Sequence, residues 1–371
     1  MRIGIDASGI NSYRTGTATY LVEILTQWNI DRSLEHVFVI FCSPNTRHHF
    51  DALKLDHRFE LVMVSRIKLI QMFWQQTGLP LALWRGQFNV LWGPGFVLPF
   101  LPVCPMVVTI HDLTFELFPG VHQLLKRIYF PRMIRFAVKN ARQVLAISQS
   151  TAQDLAKAIP ASRHKTTVTL LAARSALSEQ SVAAKPLLPK PAPYALFVGT
   201  LEPRKNLVRL IQAWTRLTPG DRQECRLIVI GMQGWMVGEL EQIAANIDSV
   251  DFMGHVSDRE LHDYLEQALF FVYPSLYEGF GLPVIEAMAY GIPVLTSALG
   301  ATEEIAHGAA VLVDPLNVDA IADGIRALLT NEPLRQRLSR AGRERAQQFS
   351  WERTAKLTLK ALQTAAKPKS T

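Results

Sequence analysis

Short apolar runs, none longer than a strand, alternate with helical patterns along almost the whole chain. They lie at Arg2–Asp6, Val37–Cys42, Val90–Trp92, Met106–Ile110 and Gln143–Ile147, and again at Tyr194–Gly199, Arg226–Gly231, Val250–Met253, Phe270–Tyr273, Pro293–Thr296 and Val311–Val313. Strands that read as continuous apolar runs with a helix after each belong in parallel sheets covered on both faces, which predicts an α/β protein of doubly wound, Rossmann-like layers. At 371 residues the chain is too long for one core. The natural break is Ala183–Pro193, where four prolines in eight positions resist both helix and central strand. We therefore expect an N-terminal domain over 1–182 and a C-terminal domain over 183–350, facing each other across a cleft. A final helix at about 351–371 should pack back on the first domain. Ligands of such sheets bind beyond the carboxyl ends of the strands, so the loops that follow strands are where chemistry is sought.

Charge is distributed unevenly. Residues 1–180 hold 19 basic and 11 acidic side chains, residues 181–371 hold 20 and 21, and no acidic residue occurs from 61 to 111. An anionic partner for the first half follows. Nucleic acid is not expected, because zinc-finger spacing, an aromatic RNA-binding motif and a heptad-backed basic helix are all missing. Between 121 and 142 basic residues interleave with Ile128, Tyr129, Phe130, Met133, Ile134 and Phe136. That segment is either a surface for an anionic membrane or a helix with an ordinary solvated basic face, and the two readings weigh equally. Cys42, Cys104 and Cys225 lack paired spacing and fit a reducing compartment. The N-terminus reads as a strand rather than a signal peptide, and the most apolar stretch, 96–110, is too short and proline-broken to span a bilayer. A cytoplasmic protein, at most peripheral on the inner face of the membrane, is expected.

Three loops carry the candidate residues. Glu278 follows the Phe270–Tyr273 strand, and Gly279-Phe280-Gly281-Leu282 then turns into a helix that begins near Pro283 and carries Glu286 one turn in. Amides exposed at such a helix start favour phosphate, and a carboxylate on that side can accept from vicinal hydroxyls such as those of ribose. Gly199 opens the second loop, where Arg204 and Lys205 stand as adjacent cations able to neutralise a diphosphate. His111 and Asp112 end the Met106–Ile110 strand, Gly16 lies between the first strand and its helix, and Ser148 follows the Gln143–Ile147 strand. For Ser148 helix capping is as good a reading as contact with a second substrate.

The run Pro274–Val294 resembles the glutamate–seven residues–glutamate motif of retaining glycosyltransferases of family 4, which have the GT-B architecture of two Rossmann-like domains. The resemblance is strong from about 194 to 314 and diffuse before that. It implies transfer of a hexose from a nucleoside diphosphate sugar to a hydroxyl of a glycan or lipid-linked glycan. Glu278 would lie by the donor sugar, Glu286 on the ribose, and Arg204 and Lys205 on the departing diphosphate. His111 would contact the donor sugar, and Gly16, Gly199, Gly279, Phe280, Gly281 and Leu282 would line the donor. Asp112 and Ser148 are acceptor-side candidates. No Asp-x-Asp pair occurs, so no metal and no cofactor beyond the nucleotide sugar is expected, the two cations serving instead. The style of the sequence resembles bacterial mannosyltransferases of polysaccharide assembly, which favours GDP-mannose with UDP-sugars close behind. Ala172 and Ala173 stand where relatives often carry Gly or Asp. Alternatives are a nucleotide-sugar epimerase of the same architecture and a non-catalytic sugar-binding subunit.

Overall fold

A computed structural model describes residues 1–11, 16–117, 124–174, 193–222, 224–232, 234 and 247–368. Apart from Pro193, the proline-rich segment 183–193 lies outside the described residues. The chain forms two compact units, Met1–Leu171 with Ser350–Thr371, and Ala172–Phe349.

The first unit is built on β1 (Arg2–Ala7), β2 (Val37–Cys42), β3 (Phe59–Met63), β4 (Val90–Gly93), β5 (Met106–Ile110), β6 (Gln143–Ala146) and β7 (Thr166–Val168), all parallel, in the order β3-β2-β1-β4-β5-β6-β7. Its helices begin with α1 (Gly16–Ile30), α2 (Lys68–Gln76), α3 (Gly78–Arg85), α4 (Leu124–Asn140) and α5 (Gln149–Ala158). The order reverses between β1 and β4, the kind of switch point at which sheets of this type bind ligands. Val39, Phe41, Leu83, Leu91, Val108 and Ile134 join in one core under the α3 and α4 face. The chain was not expected to form β3, whose alternating and half-exposed side chains reflect its place at the sheet edge.

The second unit repeats the plan with β8 (Tyr194–Val198), β9 (Arg226–Ile230), β10 (Val250–Gly254), β11 (Phe270–Tyr273), β12 (Val294–Ser297) and β13 (Ala310–Val313), in the order β10-β9-β8-β11-β12-β13. Here the reversal falls between β8 and β11. The helices are α6 (Leu207–Thr215), α7 (Asp258–Gln267), α8 (Leu282–Ala289), α9 (Gly300–Ala306), α10 (Val318–Thr330) and α11 (Glu332–Ala346). The last helix, α12 (Trp351–Ala366), belongs to the first unit, where it packs on α1, β4, β5 and β6.

The described part of residues 121–142 is helical from Leu124 to Asn140. Met133 and Ile134 of α4 are buried, Phe136 sets its ring edge-on to Phe100 at 4.8 Å, and Phe130 packs against Phe96 and Phe115. Phe130, Met133, Ile134 and Phe136 of α4 thus pack inward, while Tyr129, Arg132, Arg135 and Lys139 remain exposed. Residues 121–123 lie outside the described residues. No helix among the described residues is long and apolar enough to cross a membrane.

Candidate active site

Where β8 and β11 diverge, two loops far apart in sequence bring a compact ion cluster together. After β8 the chain makes one 3-10 turn over Pro203–Lys205 and then places Asn206 in the left-handed region, φ 63°. That conformation costs Asn less than most residues, and its amide fixes it by donating to the carbonyls of Pro274 at 2.9 Å and Pro315 at 2.7 Å. The β11 loop returns the contact, with Leu276 N donating to the Arg204 carbonyl at 2.8 Å. Backbone thus locks the two loops in register before any charge is considered.

Glu278 stands at the centre of the cluster. Its Oε1 accepts from Lys205 Nζ at 2.7 Å, Ser275 Oγ at 2.6 Å and Tyr273 OH at 3.0 Å, and its Oε2 faces Arg204 at 2.8 Å. Arg204 also donates to Glu202 at 2.5 Å and to the Tyr277 carbonyl at 2.7 Å. Lys205 donates a further bond to Tyr273 OH. Burial alone would raise the Glu278 carboxyl, but Arg204, Lys205 and the hydroxyl of Ser275 hold it down at about 2. Burial and the neighbouring Arg204 lower Lys205, against the pull of Glu278, and burial together with Glu278 raises the Tyr273 phenol well above its usual range. Glu278 is therefore a fixed anion at neutral pH and cannot serve as a general acid.

Glu286 lies on α8 and has a different partner. Arg174 grips it in a fork, Nε to Oε1 at 2.6 Å and an outer nitrogen to Oε2 at 3.2 Å, and reaches Asp258 at the start of α7 at 3.1 Å. Burial disfavours the guanidinium, yet Glu286 and Asp258 outweigh it and raise its pKa. The two glutamates of the motif thus belong to separate ion pairs. Gly281, at φ 101°, makes the turn into α8 that a side chain would strain. Leu282 begins that helix and is half-buried. Phe280 turns its side chain inward, edge-on to Phe349 at 5.8 Å, so only its backbone is left for a ligand. Gly279 is buried between them. Gly199 ends β8 beside Gly231, and a Cβ on Gly231 would sit 1.8 Å from the Gly199 carbonyl oxygen.

In the first unit His111 follows β5, and its Nε2 must donate to the Pro94 carbonyl, 2.6 Å away after β4. Burial lowers the imidazole pKa, against that hydrogen bond and Asp112, so the neutral ring offers Nδ1 as an acceptor rather than a donor. Tyr20 packs edge-on against it at 5.1 Å. Asp112 accepts from Thr114 N at 2.9 Å and shapes its own loop. Ser148 is fully buried and caps α5 by accepting from Thr151 N at 2.9 Å. Gly16 is the exposed first residue of α1.

Tyr273, Ser275, Glu202, Arg174 and Gly231 were not among the expected site residues. Tyr273 and Ser275 flank a proline directly before Glu278 and were open to notice there. Arg174, 112 positions from its partner, left no local signal.

Comparison with known proteins bears on the whole assembly. The model of "Glycosyltransferase Family 4" matches residues 15–169, and that of "Glycosyl transferases group 1" matches residues 178–345. The chain is 28% identical over 364 residues to the O-antigen chain mannosyltransferase B of Escherichia coli, covering 94% of this chain and 95% of that protein. It is 25% identical to the O-antigen chain mannosyltransferase RfbU of Salmonella typhimurium, over 84% and 86% of the two. Among solved structures, HepE of Anabaena in complex with UDP-glucose superposes with a TM-score of 0.75 at 16% identity, covering 98% of this chain and all of that one. WaaG, a glycosyltransferase involved in lipopolysaccharide biosynthesis, does so with a TM-score of 0.72 at 16% identity over 98% and 99%. The chain belongs to the glycosyltransferases of the GT-B fold, its first unit to family 4 and its second to group 1.

Proposed function

We propose that the protein transfers a mannosyl group from GDP-mannose, with retention of configuration and without a metal ion, to a hydroxyl of a growing glycan or lipid-linked glycan. The observation that carries this reading is the Arg204–Glu278–Lys205 cluster at the point where β8 and β11 part, two cations held side by side by one anion. When the anomeric C–O bond breaks, its electron pair goes to the diphosphate, and two preset cations stabilise that charge without reorganisation. Glu278, already accepting three hydrogen bonds and paired with Arg204, acts as the anion that positions Arg204 and Lys205 rather than as a nucleophile. Glu286, oriented by Arg174, accepts from the ribose hydroxyls, and the amides at the start of α8 face the phosphates. His111 accepts a sugar hydroxyl through Nδ1. The mannosyl donor is favoured by the names of the O-antigen relatives, whereas HepE was solved with UDP-glucose.

A thermal-shift comparison of GDP-mannose with UDP-glucose and UDP-galactose tests the donor. At a hundred times its dissociation constant the true donor stabilises by about 2.7 kcal/mol. A larger shift with a UDP-sugar than with GDP-mannose overturns the donor assignment. Transfer assayed with and without chelator should be equal, and Arg204→Ala or Lys205→Ala should lower kcat by about a hundredfold or more. Chelator-sensitive transfer, or near-normal kcat in both variants, contradicts the role given to the cations.

A further inference from the structure

Helix α2 is built inside out. Its polar side chains turn toward the protein: Gln71 donates to the Ser65 carbonyl at 2.7 Å, Gln75 donates to Asp6, and Gln76 accepts from Phe100 N at 2.8 Å. Its apolar side chains turn away, and none of the nine residues is buried. Leu69 is 75% and Phe73 70% exposed, with Ile67, Ile70 and Met72 exposed beside them, and only Trp74 reaches the core, against Phe41. Phe100, held to Gln76 through its backbone, is exposed as well. A surface helix of a water-facing protein has the opposite polarity, and a contiguous exposed apolar ridge marks an interaction site.

The charge around the ridge selects the partner. Arg66 and Lys68 flank it, exposed, and no acidic side chain occurs between residues 61 and 111. A second copy of the chain seated on the ridge would bring these cations against their own counterparts, whereas an anionic surface neutralises them. An apolar face with basic flanks, on a helix far too short to span a bilayer, is the arrangement that lies in the headgroup layer. We propose that α2 docks the first unit onto an anionic lipid bilayer, with Leu69 and Phe73 as the inserted side chains. The proposal rests on none of the residues given a role in transfer and is tested without donor, so its failure leaves the transferase reading untouched.

The full chain is sedimented with vesicles of phosphatidylethanolamine and phosphatidylglycerol, and with vesicles of phosphatidylcholine alone. Wild type should sediment with the anionic vesicles, and Leu69→Glu/Phe73→Glu should bind them at least about tenfold more weakly. The double variant should keep the wild-type melting temperature, since both side chains are exposed. Arg66→Glu/Lys68→Glu should also weaken binding, and added salt should weaken the wild type. Equal binding by wild type and Leu69→Glu/Phe73→Glu, or no preference for anionic vesicles, overturns the proposal. So does wild type that dimerises in lipid-free sedimentation velocity through a contact the double variant abolishes, which makes the ridge a self-association face.

Discussion

Glu278 Oε1 accepts three hydrogen bonds and Oε2 faces a guanidinium, so its charge is part of the fold as well as of the site. With the carboxyl at about 2 in the folded protein against 4.5 as a free group, its contribution to stability is full above 4.5 and is lost as pH falls toward 2. Glu278→Gln leaves Lys205 buried without its anion and should cost about 3 kcal/mol at neutral pH by denaturant unfolding. The gap to wild type should close as pH is lowered from 4.5 toward 2. A gap that stays constant over that window means the charge is not what the cluster needs. Arg174→Ala acts on the other glutamate. Releasing Glu286 from its fork should raise the donor KM about tenfold while kcat changes little, and Arg174→Lys should recover only part of the loss because ammonium cannot form the fork. An unchanged KM removes Glu286 from the ribose. Glu278 and the Arg-Lys pair stood out because each lies in a loop that follows a strand, where side chains of such sheets meet ligands, and Glu286 because it lies one turn into the helix that the first of these loops enters. That Glu278 grips both cations was not legible, since the contact depends on β8 and β11 being neighbours in a sheet whose order sequence spacing does not encode.

Elements bring these residues close only where side chains are absent. Strands β8 and β9 end so near one another that Gly231 has room for a hydrogen alone beside the Gly199 carbonyl, and that carbonyl begins the loop leading to Arg204 and Lys205. Gly231→Ala should therefore destabilise the protein by about 1–3 kcal/mol and weaken donor binding together, because the displaced loop carries the cations. Gly220→Ala, whose nearest neighbour would be 3.7 Å away, should stay within about 0.5 kcal/mol of wild type. If calorimetry finds donor affinity unaltered in Gly231→Ala, the loop's position does not govern the site. Alternation of apolar strands with helices made most strands readable, because central parallel strands are apolar on both faces. Strand β3 escaped that reading at the sheet edge, and α4 left it open: interleaved basic and apolar residues fit a membrane face and a core-facing helix equally, and only the fold shows that Met133 and Ile134 are buried. The inverted polarity of α2 is invisible in the sequence, since its glutamines look like a solvent face until their partners are known.

At the scale of the molecule the first unit is discontinuous, leaving at Leu171 and completed only when the chain returns at Ser350. The return is structural rather than decorative. Trp28 Nε1 on α1 donates to the Ala355 carbonyl at 3.2 Å, Thr354 Oγ1 donates to the Leu170 carbonyl, and Arg142 donates to the carbonyls of Ala365 and Lys367 at 2.8 and 2.7 Å. Trp351, Leu359 and Leu362 are buried with them. Ending the chain after Phe349 would strip this cover from α1, β4, β5 and β6, exposing apolar surface and leaving the Arg142 and Trp28 donors without their carbonyls. Hydrogen exchange should then accelerate by orders of magnitude in β4, β5 and β6, while β8, β11 and β12 of the second unit, whose cores contain no part of α12, keep their protection. Equal acceleration in both units would mean that they unfold as one cooperative block. Unchanged protection in β4 to β6 would mean that α12 only rests on the first unit. The expected split places the mechanical weak point of this transferase at its own C-terminus, with the ion cluster of Glu278, Arg204 and Lys205 on the side that survives.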